Sequence, residues 1–289
     1  MLLGRLILAI ALCGAGLCGA KPAQGGYARM TDAEVSATIA KDHAILPLGA
    51  RLQAVSEPFL GTPYLLGNMG EGPEGDGRDK DPRYNVQAAD CTTFVEHAIA
   101  FALASDLPQA KLLLDAIRYD HGKVNYGTRR HWPEAQWVHG LIAEGFVEDV
   151  TAQVAGAGAQ VGSAAVRIDP KRLQESLHQE LKEKLKPGEI PVGEFAVPYL
   201  PLESVMKISP RLEAGLVINI VKAEKPGLLV RISHQGLIVR KDGAPFVRNA
   251  SSIGKKAVVD EPLAEFVERQ AKARSWPTLG FNFLRVKQR

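Results

Sequence analysis

Cysteine is scarce in this sequence: only three of its 289 residues are cysteines, and two of them, Cys13 and Cys18, lie close to the N-terminus. So few cysteines over this length exclude a disulfide-stapled scaffold. Charge of one sign is also lacking, because 35 Lys and Arg residues against 32 Asp and Glu residues leave a net charge of +3. That balance does not favour nucleic-acid binding, and we expect no nucleic-acid partner.

Long hydrophobic runs are missing except for one at the N-terminus, which excludes a polytopic membrane protein. The composition is otherwise ordinary, with 46% hydrophobic and 23% charged residues, and it excludes a disordered or fibrous chain. A chain of 289 residues is long enough to form one large domain with a substantial hydrophobic core.

Motifs for metals, cofactors and serine nucleophiles are absent as well. No His-Glu-x-x-His occurs, and His131 and His139 are spaced unlike common metal ligands. Gly156, Gly158 and Gly162 miss the spacing of a dinucleotide-binding loop. No Gly-x-Ser-x-Gly elbow occurs either. We therefore expect neither a metal nor a cofactor.

The N-terminal run has the pattern of a cleavable signal peptide over residues 1–20. Arg5 precedes a short apolar core, and small residues lead up to Ala20. A lipoprotein signal at Cys13 or Cys18 is the alternative, but a leucine precedes each cysteine where a lipidation site has Gly or Ala. We expect cleavage, a periplasmic or secreted protein without a membrane span, and a mature chain 21–289 whose single cysteine is Cys91.

The pattern along the chain changes from helical to strand-like, which predicts an α+β fold with N-terminal helices packed on a mostly antiparallel C-terminal sheet. A Gly- and charge-rich insertion near 68–88 is either a solvated loop or the rim of a site, and 154–165 reads as a flexible connection. The sequence predicts helices over 32–43, 47–59, 91–104, 108–119, 133–144, 171–186 and 262–274. It predicts strands over 216–221, 228–239, 244–250 and 279–286, with a hairpin turn at 241–243.

Cys91 is the first candidate for chemistry. Asp90 stands at the N-cap position of a predicted helix, so Cys91 begins that helix, where the helix dipole favours a thiolate. The charge of Asp90 opposes a thiolate, so a nucleophilic Cys91 needs an adjacent base. On that basis we expect iodoacetamide to alkylate it faster than a free thiol at pH 6 to 7. The alternative is that Cys91 is a small buried core residue.

A histidine on another element would supply that base. Of the seven histidines, His234 lies in a strand-like segment, and Gly236 permits close backbone approach beside it. A strand is a rigid support from which to present an imidazole to the start of a packed helix. The alternative is a core histidine with a satisfied hydrogen bond.

Several segments together carry a family resemblance. They include Leu-Gly-Thr-Pro-Tyr at 60–64, Asp-Cys-Thr-Thr-Phe-Val-Glu at 90–96 and Ile-Ser-His-Gln-Gly at 232–236. Shorter pieces at 118–119, 122–124, 130–132 and 249–251 agree in order and spacing. Over roughly 45–286 the chain resembles a bacterial family of N-acetylmuramoyl-L-alanine amidase-like proteins, related to the NlpC-type papain-like cell-wall peptidases.

The resemblance implies an exported cysteine hydrolase with a papain-like fold that acts on peptidoglycan or muropeptides as a monomer. It implies Cys91 as nucleophile, His234 as base and Asn249, where relatives carry a histidine, as the group that orients the imidazole. It implies the Tyr64 hydroxyl as an oxyanion donor. The implied substrate-binding residues are Tyr64, Asp90, Thr92, Tyr126, Arg130, His131 and Trp132.

Three points stay open at the level of sequence. The cleaved amide is either the muramoyl–L-Ala bond or a bond of the stem peptide, since both need the same chemistry. A non-catalytic wall-binding protein on the same fold is one alternative, favoured by Asn249 in place of a histidine. An acyltransferase or lipid hydrolase on a papain-like scaffold is the other.

Overall fold

The computed structural model of the protein describes residues 26–45, 47–157 and 159–288. The predicted signal peptide, with Cys13 and Cys18, lies outside the described residues. Within the described part, no helix combines the length and the apolarity that crossing a membrane requires.

The first four α-helices along the chain lie close to where the sequence predicts them. They are α1 (Asp32–His43), α2 (Leu48–Ser56), which continues as a 3₁₀ turn, α3 (Cys91–Leu103) and α4 (Leu107–Arg118). Side chains cap three of the four: Thr31 caps α1 in a capping box with Glu34, Asp90 caps α3 and Asp106 caps α4. Each cap satisfies backbone N–H groups that have no partner inside the helix, so these helices begin where the sequence places their caps.

The middle of the chain departs most from prediction. The helix expected over 133–144 begins as a π-helical turn, Pro133–Val138, before α5 (His139–Ala143). The elements after α5 are β1 (Val147–Asp149), α6 (Thr151–Ala155), β2 (Gly162–Ile168), α7 (Pro170–Glu175) and α8 (Gln179–Lys184). The prediction of a flexible connection over 154–165 is wrong, because this stretch contains the end of α6 and the start of β2. The prediction of a single helix over 171–186 is also wrong, because the helix breaks between α7 and α8.

The C-terminal half builds most of the sheet. Its elements are β3 (Gly193–Pro201), α9 (Leu202–Ile208), β4 (Val217–Lys222), β5 (Ile232–Lys241), β6 (Ala244–Ala250), β7 (Val258–Pro262), α10 (Leu263–Ala271) and β8 (Thr278–Val286). The strands run in the order β2-β3-β8-β4-β5-β6-β7, with β1 paired to β8, and every strand pair in the described sheet is antiparallel. The Asp242-Gly243 turn joins β5 and β6 with positive φ at both residues, which confirms the predicted hairpin.

The central strand β4 is buried on both faces and shows how the layers pack. Val217 and Val221 point into a core shared with α1 to α4, whereas Ile218 and Ile220 point into a second core shared with α9 and α10. Burying an apolar side chain of this size contributes roughly 1.5–3 kcal/mol. The sheet therefore lies between two helical layers, and the predicted α+β fold is confirmed with a second layer that the sequence did not predict.

Candidate active site

Cys91 is the first residue of α3, and its position is set by the cap before it. The Asp90 carboxylate accepts hydrogen bonds from the backbone N–H of Thr93 at 2.8 Å and of Gly67 at 3.1 Å. The Thr93 hydroxyl oxygen accepts from the Asp90 N–H at 2.9 Å and donates its own proton to Asn68 Oδ1 at 3.1 Å. The start of the helix is thus tied to the loop that precedes it, and the predicted N-cap is present.

The sulfur of Cys91 lies near the backbone of β5. The backbone N–H of Gln235 lies close enough to Sγ to lower the pKa of the thiol, and the Thr92 hydroxyl is 4.0 Å away. His234, one residue earlier in the strand, pairs with Ile220, which faces the second core, and its ring packs against Phe266 of α10 with the ring centroids 6.5 Å apart. The imidazole forms its hydrogen bond with Asn249, and within the described residues no hydrogen bond joins it to the sulfur.

His234 and Asn249 form a side-chain pair across β5 and β6. His234 Nε2 and Asn249 Oδ1 are 2.9 Å apart, and Asn249 Nδ2 donates to the Val247 carbonyl at 3.3 Å. That second bond fixes which end of the amide faces the ring, so Nε2 carries the proton and Nδ1 keeps a free lone pair. A neutral imidazole in this tautomer can accept a proton at Nδ1.

Gly236 makes room for this pair. A Cβ at this position would lie 2.9 Å from the Arg248 carbonyl oxygen and 3.1 Å from Asn249 Cβ. Distances this short displace one strand relative to the other, so a larger residue would disturb the side chain that holds His234. The sequence indicates close backbone approach at Gly236, and the structure confirms it.

Burial keeps the Cys91 thiol and the His234 imidazole neutral. It raises the pKa of the Cys91 thiol to about 12, with the charge of Asp90 as the next cause, and it lowers the pKa of His234 to about 4. The helix dipole contributes about 0.3–1 kcal/mol, less than one pKa unit. The expectation of a reactive thiolate is therefore wrong for this conformation, because desolvation and Asp90 outweigh the helix terminus.

Tyr64 belongs to the same site. Its backbone N–H donates to the Lys256 carbonyl at 2.7 Å, and its backbone is paired with Ala89. Burial raises the pKa of its hydroxyl, and the proximity of Cys91 and Asp90 raises it further. The Tyr64 hydroxyl thus keeps its proton and can donate a hydrogen bond in the neighbourhood of Asp90 and Cys91.

A cavity of about 150 Å³ opens beside the start of α3. Asp90 and Thr92 form one part of its wall, and Glu96, Arg118, Arg129 and Arg130 form much of the rest. The cavity is therefore polar, and both sequence neighbours of Cys91 line it. Arg130 was predicted for this region, whereas Glu96, Arg118 and Arg129 were not.

Each arginine of the cavity wall is paired with a carboxylate. Arg118 and Glu96 form a buried ion pair at 2.6 Å, and Arg130 pairs with Glu144 at 2.5 Å. Trp137 Nε1 also donates to Glu96 at 3.1 Å. A signal for the first pair was present in the sequence, since Glu96 interrupts an otherwise apolar helix and a buried carboxylate needs a cation.

The segment 68–88 is anchored beside this cavity. Arg129 pairs with Glu71 at 2.9 Å and with Asp79 at 2.8 Å, both from this segment. From within the segment, Arg78 reaches out to Glu189 at 2.6 Å. Met69 lines the cavity. Of the two predictions for this insertion, the structure favours the rim of a site over a solvated loop.

Tyr126 and Trp132 do not line the cavity. Their side chains are 1% and 0% exposed and belong to a third hydrophobic cluster with residues of β2, α7 and α8. A ligand therefore cannot contact their side chains in this conformation, and we correct their predicted role from substrate contact to packing. His131 Nε2 donates to the Tyr126 carbonyl at 2.7 Å, and burial lowers the pKa of His131 to about 3, so its ring is neutral and committed to that bond.

Among the described residues, Asp120, His121 and Glu144 lie close enough together that they could share a metal ion. Asp120 and His121 are exposed, and Glu144 already accepts hydrogen bonds from Arg130 Nη2 and the His121 backbone. We therefore do not assign this group as a metal site.

A comparison with known protein families identifies one that matches most of the chain. A family model described as N-acetylmuramoyl-L-alanine amidase-like matches residues 54–273, a range that includes Tyr64, Cys91, His234 and Asn249. No curated protein matches the chain.

Solved structures share the fold. A Legionella pneumophila protein of the family DUF1460 is similar with a TM-score of 0.74 and 24% identity, over 88% of this chain and 95% of its own. A Bacteroides uniformis N-acetylmuramoyl-L-alanine amidase is similar with a TM-score of 0.62 and 23% identity, over 83% of this chain and 99% of its own. A Bacteroides fragilis protein provisionally named a xylanase is similar with a TM-score of 0.58 and 23% identity, over 80% of this chain and 99% of its own. At these identities the likeness concerns the fold alone.

Proposed function

The chain belongs to the N-acetylmuramoyl-L-alanine amidase-like family, and from that membership we propose that it is a cysteine hydrolase of amide bonds in peptidoglycan. The family name refers to an amidase, which hydrolyses an amide bond of peptidoglycan. The cysteine mechanism and the papain-like, NlpC-type character of the fold are our own inferences. They rest on Cys91 at the start of α3, on the His234–Asn249 pair of the sheet and on the contact of α3 with β5.

The proposed reaction is acyl transfer through a thioester. As Cys91 Sγ attacks the amide carbonyl, Nδ1 of His234 accepts the thiol proton. The C–N bond then breaks, and the imidazolium protonates the departing amine. Water attacks the thioester while His234 accepts one of its protons. The carboxylate product leaves, and the thiol is regenerated.

The neutral pair suits concerted base catalysis. A thiol that holds its proton until the attack needs a base with a free lone pair, and the Nε2–H to Asn249 bond leaves that lone pair on Nδ1. The negative charge on the carbonyl oxygen would meet the Cys91 backbone N–H, which has no partner inside the helix, and the Tyr64 hydroxyl.

The polar cavity beside Asp90 and Thr92 is our candidate for substrate binding. Its arginines are neutralised by Glu96, Glu71 and Glu144, so it offers many hydrogen-bonding groups without a dominant charge. Such a surface fits the hydroxyl, amide and carboxyl groups at the junction of the glycan and its peptide. Both the muramoyl–L-Ala bond and a stem-peptide bond remain candidate targets.

The decisive experiment digests purified muropeptides and identifies the fragments by mass spectrometry. The wild-type protein is expected to release a fragment with a new free amine, and Cys91→Ala to release none. The fragment masses also distinguish cleavage at the sugar from cleavage within the peptide. A Cys91→Ala variant that digests as fast as wild type would eliminate the cysteine mechanism.

Asn249 is tested by a second substitution. Without its amide oxygen the imidazole loses its fixed tautomer, so Asn249→Ala is expected to lower kcat about 10- to 100-fold, within the range that orienting groups contribute. KM should change little, because Asn249 is fully buried and pairs with His234 rather than lining the cavity. Asn249→His, which restores the residue expected from the resemblance, is the matched control.

A non-catalytic wall-binding protein is the second candidate. The raised pKa of Cys91 favours it, because a thiol that is hard to ionise is a weaker nucleophile in the absence of a base. It predicts that wild type and Cys91→Ala sediment equally with insoluble peptidoglycan and that neither releases fragments. Fragment release by wild type excludes it.

We also propose that the protein is exported across the cytoplasmic membrane. Residues 1–20 have the pattern of a signal peptide, and a wall hydrolase acts outside the cytoplasmic membrane. N-terminal sequencing of protein recovered from the periplasm or medium should begin at Lys21. A lipid-modified cysteine at the N-terminus would instead establish the lipoprotein alternative.

A further inference from the structure

The first half of β5 is a free sheet edge on the side of β6. Pairing between the two strands begins only at Leu237 with Arg248 and runs to Lys241 with Ala244. His234 and Gln235 therefore lie on a stretch whose backbone is not paired with β6, although the His234 side chain binds Asn249. Unpaired backbone N–H groups in a buried stretch need other partners.

Glu134 supplies such a partner. Its Oε1 accepts hydrogen bonds from the backbone N–H groups of both Arg231 and Ile232, which open β5. Glu134 is fully buried and comes from the turn Pro133–Val138, about a hundred residues earlier in the chain. Its carboxylate thus joins this turn to the strand that carries His234.

The pairing of β5 with β4 is also irregular at this point. Ile220 pairs with His234, but the next residue, Val221, pairs with Ile232, so Ser233 is an extra residue in the ladder. A bulge of this kind bends the strand and re-aims the neighbouring side chains. The ladder alone therefore leaves the aim of His234 weakly specified, and the contacts of Glu134 just before the bulge help to fix it together with the hydrogen bond to Asn249.

The turn that holds Glu134 is itself unusual. Trp137 donates its backbone N–H to the Trp132 carbonyl at 3.1 Å, the five-residue bond of a π-helix. Such turns are rare and occur often at functional sites. This one brings the Glu134 carboxylate to the strand, and Trp132, next to the turn, is packed in the third cluster. The support of the carboxylate is therefore rigid.

We propose that Glu134 is a positioning residue for His234: by binding the N–H groups of Arg231 and Ile232, it fixes the start of β5 and so the position of the imidazole that Asn249 binds. This inference rests on the proposed cysteine mechanism for its catalytic consequence, but the structural part stands without it. Burial raises the pKa of Glu134 to about 7, yet Oε1 accepts hydrogen bonds in either protonation state. The acceptor oxygen, rather than the charge, is the essential group.

Three substitutions in the full-length protein separate these contributions. Glu134→Gln keeps an acceptor oxygen at the same reach, Glu134→Asp withdraws it by one methylene, and Glu134→Ala removes it. With muropeptide substrate we expect kcat near wild type for Gln and a loss of about 10- to 100-fold for Ala, because displacements of about 1 Å cost that much. Asp should be intermediate, and KM should stay within about twofold, because Glu134 is fully buried and is not part of the cavity wall.

A spectroscopic readout tests the positioning without any turnover. The imidazole resonances of His234, assigned by their loss in His234→Ala, should shift or broaden in Glu134→Ala and keep their wild-type positions in Glu134→Gln. If wild type proves inactive and these shifts still occur, the proposed function fails while the positioning role stands. If Glu134→Ala does not fold, the comparison of Glu134→Asp with Glu134→Gln carries the same test.

Asp106→Ala is the control for a general loss of stability. Asp106 caps α4 through the backbone N–H of Gln109 at 2.8 Å and belongs neither to the cavity wall nor to β5. It should lower the melting temperature and leave kcat and the His234 resonances unchanged. Unchanged His234 resonances and kcat in Glu134→Ala, or losses in both variants that scale with melting temperature, would overturn the proposal.

Discussion

At the scale of single residues, the thiol and the imidazole are set by their surroundings more than by their own chemistry. The sulfur of Cys91 is desolvated and lies next to Asp90, and both conditions raise its pKa. His234 is desolvated too, which lowers its pKa, and Asn249 leaves Nδ1 free to accept a proton. In the resting state the thiol and the imidazole are both neutral, and the proposed mechanism ionises them only during attack.

The reactivity of Cys91 follows from that state. With a pKa near 12, the thiolate is a minute fraction at pH 7, so we expect iodoacetamide to alkylate Cys91 more slowly than free cysteine. The rate should rise about tenfold per pH unit up to pH 10, since the thiolate fraction does so below the pKa. Mass spectrometry of timed samples measures it. Alkylation faster than free cysteine at pH 7 would instead show an ionised resting thiol.

The pH dependence of turnover depends on His234. Protonation removes the lone pair that acts as base, so activity should fall as pH drops through the pKa of the histidine. Because burial lowers this pKa to about 4, the acidic limb of kcat/KM is expected near pH 4, well below the 6.5 of an unperturbed histidine. Rates measured between pH 3 and 8 check this. A limb centred near 6.5 would mean that the ring is solvated in the working enzyme.

At the scale of secondary-structure elements, two similar caps begin neighbouring helices, and only one adjoins the candidate site. Asp90 caps α3 next to Cys91, and Asp106 caps α4 through the Gln109 backbone at 2.8 Å. Each aspartate satisfies backbone donors that the helix itself leaves free. The two caps therefore form a matched pair for separating stability from activity.

Replacing each cap by alanine tests that separation. Asp90→Ala and Asp106→Ala should each lower the free energy of unfolding by about 0.5–2 kcal/mol, measured by denaturant titration. Only Asp90→Ala should also change the turnover of muropeptides, because it releases the backbone at Cys91 and part of the cavity wall. Equal activity in the two variants would show that Asp90 serves the helix alone.

At the scale of the whole molecule, ion pairs fasten a long segment over the cavity. Arg129 pairs with Glu71 and Asp79, and Arg78 pairs with Glu189, so the segment 68–88 is held from two sides. Side chains of opposite charge that are mostly shielded from water are hard to replace one at a time, because the remaining partner is left unpaired.

Loosening this segment should expose it to proteases. In Arg129→Ala, Glu71 and Asp79 lose their shared cation, and we expect trypsin to cut after Arg78 or Lys80 faster than in wild type. Gel analysis with mass spectrometry locates the cut. Lys272→Ala, which removes an exposed ion pair with Glu268 in α10, is the control and should leave the cleavage rate unchanged. Equal rates in all three proteins would mean that the ion pairs do not hold the segment.

Much of the architecture was predictable because its signals are local. Caps, helical spacing and the Asp242-Gly243 turn act over a few residues, and they place α1, α3, α4 and the β5–β6 hairpin within a few residues of their observed bounds. The errors lie where local signals are weak. The strand β2 has a Gly- and Ala-rich start, and the break between α7 and α8 carries no proline or glycine.

In the candidate site, too, the features set by local sequence were predictable and the features set by long-range packing were not. The sequence by itself determined that Cys91 opens a helix, that His234 lies on a strand and that Gly236 permits close approach beside it, because each follows from a few neighbouring residues. Only the tertiary structure decided which charges surround the cavity, how far burial moves the pKa of the thiol and that Glu134 binds the start of β5. These depend on residues dozens to more than a hundred positions apart, whose proximity and desolvation arise only when the chain packs.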